Sequence, residues 1–174
     1  MKIGKKSAIL GLGLILAATP ANSQQPIAQT ATANALGDQI AGMSIAQLSA
    51  AIKDGRLTSA QITAAYLARI AAIDDAGPML NAVLATFPDA LDQAGMLDAE
   101  LAAGKYRGPL HGIPILLKDN IEAKGPLPTT AGSLALKDNI TGRDAPIIAR
   151  LRDAGAVILG KTNLSEWANI RSSG

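Results

Sequence analysis

The chain contains no cysteine. That excludes a disulfide framework, a thiol nucleophile and a cysteine-ligated metal centre. It has one histidine, His111, which alone cannot assemble a zinc site from the usual ligands. Aromatic residues are nearly absent: Phe87, Trp167, Tyr66 and Tyr106 are the full set. The core must therefore be built from Leu, Ile, Val and Ala. No apolar run reaches bilayer length. The run at residues 8–18 has eleven residues, against the roughly 20 that a spanning helix needs.

What is present describes a globular chain of ordinary domain size. Of its 174 residues 48% are hydrophobic and 17% charged, a balance that excludes a disordered polymer. Lys2, Lys5 and Lys6 precede the apolar run, and Thr19-Pro20-Ala21-Asn22-Ser23 follows it. Basic, apolar and small-residue regions in that order read as a secretory signal over residues 1–23, cleaved after Ser23. The alternatives for this stretch are a short buried helix or an uncleaved anchor. Removing it takes away three of the 16 basic residues and leaves 13 against 14 acidic ones. The net charge of +2 thus becomes −1. The basic excess belongs to the leader, so no nucleic-acid partner is implied. The expected location is periplasmic or secreted.

Residues 24–42, rich in Ala, Gln, Thr and Asn, read as a loose lead-in to a domain over residues 43–174. Ser44-Ile45-Ala46-Gln47 and Thr58-Ser59-Ala60-Gln61 are capping boxes. They open one helix that stops at Gly55 and a longer one that reaches about Asp74. Ile62, Tyr66, Ile70 and Ile73 mark the apolar face of the second. Residues 82–87 read as a strand, and Pro88 as the first turn of a helix running to Gly104. Residues 113–117 form a second strand, which Pro114 restricts to an edge, a start or a bulge. A Gly/Pro/Thr loop over 119–132 is long enough to be functional. Asp144 is expected to cap a helix that ends at Gly155. Residues 156–159 are an apolar strand, and Ser165 begins another helix. Strand 113–117, helix 144–154 and strand 156–159 fit a right-handed crossover. Strands apolar on both faces imply a sheet covered on both sides. The class is α/β, with no internal repeat.

Three features could carry chemistry. Residues 155–162, Gly-Ala-Val-Ile-Leu-Gly-Lys-Thr, match the phosphate-loop pattern letter for letter. In such a loop a strand precedes the first glycine, whereas here a helix does and the variable residues are themselves an apolar strand. Nucleotide binding is therefore the remote reading, and Lys161 is expected to follow the strand as a structural or site-lining residue. His111 lies in a Gly/Pro turn before a strand. It fits a hydrogen-bonding or packing role better than half of a Ser–His pair. Lys118 ends the apolar run Ile113-Pro114-Ile115-Leu116-Leu117. If the run is buried, the ammonium is carried inward, and a buried lysine tends to lose its proton and become a base. The competing reading is a lysine that snorkels to water.

Gly108-Pro109-Leu110-His111-Gly112-Ile113-Pro114, then Leu117-Lys118-Asp119-Asn120, then Thr129-Thr130-Ala131-Gly132-Ser133 closely resembles the amidase signature family. So does the later segment with Asp144-Ala145, Arg150-Leu151, Ala154-Gly155-Ala156-Val157-Ile158-Leu159-Gly160-Lys161-Thr162-Asn163 and Glu166-Trp167. The resemblance covers residues 43–174, and the order of several motifs makes it specific. It implies a mixed central sheet covered by helices on both faces, of which this chain holds the first strands. It implies hydrolysis of a carboxylic amide to a carboxylate and ammonia or an amine, without cofactor or metal. The substrate would be a small-molecule or peptide amide. In that family a serine nucleophile, a second serine in a cis peptide and a lysine act together, and Lys118 corresponds to the lysine.

The serine-rich block that carries the two serines should lie well beyond residue 174. Ser172 and Ser173 fall between the lysine block and that block, and are expected to have no catalytic role. The chain by itself is therefore expected to be a catalytically inactive truncated fragment or remnant. The family also includes the amide-hydrolysing component of a tRNA-dependent amidotransferase, a cytoplasmic role that a signal peptide argues against.

Overall fold

A computed structural model of the chain describes residues 25–168. The expected signal segment 1–23 and the serines Ser172 and Ser173 lie outside the described residues. Among the described residues five α-helices and three strands follow one another as α1 (Gln25–Ile40), α2 (Ile45–Lys53), α3 (Ser59–Ile73), β1 (Val83–Thr86), α4 (Ala90–Ala102), β2 (Pro114–Lys118), α5 (Pro146–Asp153) and β3 (Val157–Thr162). The fold is α/β, with a small mixed sheet.

Local sequence accounts for the two best-defined helix starts. Ser44 caps α2 and Thr58 caps α3, and in each the N3 glutamine returns a hydrogen bond to the cap residue. These are the capping boxes expected from the sequence. The start of α3 is secured again from α4: the Asp98 carboxylate accepts the N–H groups of Ser59 and Ala60 at 2.7 and 3.0 Å. It thereby meets donors that no helix can satisfy internally.

Three expectations need correction. Residues 24–42 are not a loose lead-in, because 25–40 form α1. Four alanines within it favour the helix, and packing completes it. Ile40 is fully buried, and at Gly37 a side chain would stand 3.1 Å from the Ala65 carbonyl of α3. Asp38 and Arg69 pair across these two helices at 2.9 Å. Asp144 does not cap α5, which starts from Ala145 without a side-chain cap. Its carboxylate instead accepts the Lys124 N–H at 2.6 Å and pairs with Arg152 at 3.2 Å. Ser165 does not begin an α-helix within the described residues. A single turn at Glu166–Ala168 has left-handed backbone at Trp167.

The sheet order is β1-β3-β2, with β3 central, antiparallel to β1 and parallel to β2. The connection between the parallel neighbours contains α5, as a crossover requires. The main core gathers Phe87, Ala94 and Leu97 from the α4 region, Ile148 from α5, and Val157, Ile158 and Leu159 from β3. Aliphatic side chains make up nearly all of it, as the shortage of aromatics dictates. A second cluster joins Ile40, Leu48, Ile52, Ile62 and Ile113. Of the expected α3 face, Ile62 is buried, while Tyr66, Ile70 and Ile73 line an apolar cleft with Val83, Leu116 and Leu159.

Two glycines of the phosphate-loop match have packing reasons to be glycine. Gly155 ends the α5 turn at φ +84, with the His111 Cα 3.0 Å from where a Cβ would stand. Gly160 lies in the middle of the central strand, where a Cβ would meet the Ala85 carbonyl oxygen at 2.5 Å. By contrast, Gly95 inside α4 has open space around it. Gly95→Ala is therefore expected to stabilise the fold by about 0.5–1 kcal/mol, through helix propensity and a less flexible unfolded chain. Gly160→Ala is expected to destabilise it by about 1–3 kcal/mol. Urea midpoints of the two variants should move in opposite directions.

Candidate active site

Two lysines stand at the ends of neighbouring parallel strands. In the β2–β3 register Leu117 lies opposite Lys161 and Lys118 opposite Thr162. Successive side chains of a strand point to opposite faces, and the end of β2 obeys this. Leu117 and Asp119 are buried, whereas Leu116 is 37% exposed and Lys118 is exposed. The expectation that the apolar run carries Lys118 inward is thus corrected. The run is buried along one side, and Lys118 leaves from the other.

The buried lysine is Lys161, and it lies within β3 rather than after it. It is 1% exposed, as is Asp119, the residue after Lys118. The Lys161 ammonium donates to the Ile121 carbonyl at 2.6 Å and to Thr129 Oγ1 at 3.0 Å, and its Nζ lies 3.5 Å from Asp119 Oδ1. The other carboxylate oxygen of Asp119 accepts the Thr130 N–H at 3.1 Å and the Thr130 hydroxyl. Burial pushes the Lys161 pKa down, and Asp119 opposes that shift. A charge in such a place persists only if paired and hydrogen-bonded. The loop 119–132 supplies those bonds by folding back over the strand ends.

The same geometry removes the nucleotide reading. Phosphate loops present backbone N–H groups and a lysine to a ligand. Here residues 157–162 are extended and hydrogen-bonded on both sides, and the lysine is enclosed. His111 is structural as well. Its buried ring accepts the Arg107 N–H at Nδ1, 3.3 Å away. That leaves Nε2 to donate to the Leu97 carbonyl at 2.9 Å.

Sequence reasoning missed Asp119, Thr129 and Thr130 as a unit with Lys161. The available signal was a pair of opposite charges, Asp119 and Lys161, each adjoining an apolar strand.

Comparison with known proteins shows the family to which the chain is similar. The family model named Amidase matches residues 61–173, more than half of the chain. The chain belongs to the amidase family. It is 48% identical over 130 residues to an Arabidopsis thaliana protein named "Probable amidase", covering 74% of this chain and 25% of that protein. It is 46% identical over 127 residues to a glutamyl-tRNA(Gln) amidotransferase component of Thermobifida fusca, covering 72% and 25%. The native peptide amidase of Stenotrophomonas maltophilia superposes with a TM-score of 0.73 at 55% identity, covering 77% of this chain and 27% of that one. The chain therefore spans about a quarter of the length of the relatives it matches.

Lys161 generates a pH dependence with a defined sign. Between its lowered folded pKa and the ordinary lysine value of 10.5, the unfolded chain binds a proton that the folded chain does not. Stability contributed through this group therefore rises with pH across that window. Lys161→Met should lack the rise, as read from urea midpoints at increasing alkaline pH. Added MgATP should leave the wild-type melting temperature unchanged, since a nucleotide that bound the folded state would raise it.

Proposed function

We propose that this chain provides the lysine-bearing part of an exported amide hydrolase. The observation that carries the proposal is the placement of Lys118. It sits at the end of the edge strand β2, on the face of that strand where Leu116 and Lys118 are exposed, inside a segment that matches the family over 61–173. Its ammonium makes no hydrogen bond or ion pair among the described residues, whereas the neighbouring Lys161 is fully engaged. The first is available for proton transfer and the second is not.

In this reading Lys118, as the neutral amine, accepts a proton relayed through a bridging serine from the nucleophilic serine. The activated serine oxygen attacks the amide carbon and forms a tetrahedral oxyanion held by backbone N–H groups. Collapse breaks the C–N bond, and the leaving amine takes the proton. Water then adds to the acyl-enzyme and releases the carboxylate. Both serines come from the family's pattern rather than from residues 25–168. A neutral amine needs an environment that disfavours its charge. Lys118 is exposed, so that environment must come from whatever covers the open face.

Small-molecule and peptide amides are the proposed substrates, which the likeness to the Stenotrophomonas peptide amidase supports. The second reading is a component of a tRNA-dependent amidotransferase, favoured by the likeness to the Thermobifida protein. The pattern of residues 1–23 separates the two, since a leader removed after Ser23 sends the protein to the periplasm or the exterior.

The test is release of ammonia from C-terminally amidated peptides and simple aliphatic amides by a protein that carries this chain together with the family's serine-bearing block. Lys118→Ala is expected to lower kcat/KM by about 10²–10⁴-fold while the melting temperature holds. Undiminished turnover in that variant overturns the assignment. Exported protein is expected to begin at Gln24 on N-terminal sequencing. A cytoplasmic product that retains Met1 and consumes glutamine only with charged tRNA would support the second reading.

A further inference from the structure

The amide-hydrolase reading gives Lys118 a task, but a lysine at a strand end is useful only if the backbone beneath it is held. Here it is held by hydrogen bonds from the following loop and from β3. The Lys118 carbonyl accepts the Ile121 N–H at 3.0 Å, the Asp119 N–H donates to the Thr162 carbonyl at 3.1 Å, and the Asp119 carbonyl accepts the Ala131 N–H at 3.0 Å. Thr162 Oγ1 donates to the Leu117 carbonyl at 3.3 Å. Each of these bonds ends beside the buried charges. Ile121 offers its carbonyl to Lys161, Thr162 follows Lys161 in β3, and Ala131 follows Thr130, which donates twice to Asp119.

There is also something for such an anchor to prevent. The pairing of β2 with β3 is irregular between Ile115 and Leu116, where the partner steps from Ile158 to Gly160 and passes over Leu159. A slip of one residue turns every following side chain to the other face of a sheet. Past this irregularity only three β2 residues remain, Leu116, Leu117 and Lys118. That is a short run in which to fix a register by backbone bonds alone.

We propose that Asp119 and Lys161 are positioning residues for Lys118. Their buried pair locks the register of β2 against β3 beyond the irregularity and so keeps the Lys118 amine on the open face. The consequence for turnover rests on the amide-hydrolase reading, while the geometric claim does not. Buried ion pairs are weak sources of net stability, and fixing register is their best-attested use. This pair fits that use. Its separation of 3.5 Å is long for a strong charged contact, and Asp119 Oδ1 has no hydrogen-bond partner.

The test removes both charges together in the same serine-bearing protein, as the double variant Asp119→Leu with Lys161→Met. Losing both should keep the melting temperature near that of the wild type. The expected result is a fall in kcat on an amidated peptide of about 100-fold, with KM changed by less than about two-fold. Hydrogen exchange should speed up at the amides of Asp119, Ile121 and Ala131. A pair that only contributed stability would leave both kcat and these amides as in the wild type, and that result overturns the proposal. Where the double variant does not fold, Asp119→Asn carries the same two readouts and the same criterion. If the wild-type protein hydrolyses no amide, the functional reading fails, and exchange at the three amides alone decides the positioning claim.

Discussion

An ammonium and a carboxylate shut away from water must each be surrounded by partners, and much of the strand-end architecture follows from meeting that demand. Lys161 takes a carbonyl, a hydroxyl and a carboxylate oxygen. Asp119 takes an N–H, a hydroxyl and the ammonium. Three of these partners, Ile121, Thr129 and Thr130, belong to the loop after β2. That loop cannot wander over solvent, because the charges draw it back across the strand ends. Leaving either charge alone would cost several kcal/mol, so the loop and the pair stand or fall together.

The central strand makes this possible. β3 is paired on both sides, and its glycine lets β1 approach within a distance that any side chain would block. The covered face is closed by aliphatic residues of α4 and α5 and by Phe87. An apolar cleft remains between Leu116, Leu159 and the half-buried residues of α3. The two lysines are thereby sorted into opposite surroundings by strand alternation and by the irregularity in the β2–β3 register.

Much of this was legible in the sequence. Both capping boxes form as written, because their hydrogen bonds involve only residues three apart. The three strands lie where apolar runs predicted them, and the phosphate-loop match fails for the reason its context gave. What was not legible depended on distant contacts. Residues 25–40 look polar and loose, but four alanines and a glycine contact with α3 make them a helix. Asp144 sits where a cap belongs, yet Arg152 and the Lys124 N–H draw its carboxylate elsewhere. Lys118 ends an apolar run, which suggested burial, but a run buried along one face leaves alternate residues outside. Lys161 is enclosed because Asp119 and the Thr129-Thr130 loop reach it, and no local pattern records that.

The central claim is that these two lysines have opposite roles, one enclosed as an anchor and one open for chemistry. Site-resolved amine labelling of the native chain, read by mass spectrometry, tests it most directly. The account predicts that Lys118 reacts at the rate of the exposed surface lysine Lys137, while Lys161 stays unlabelled until the protein is unfolded. Labelling of Lys161 in the native state, with Lys118 protected, would contradict it.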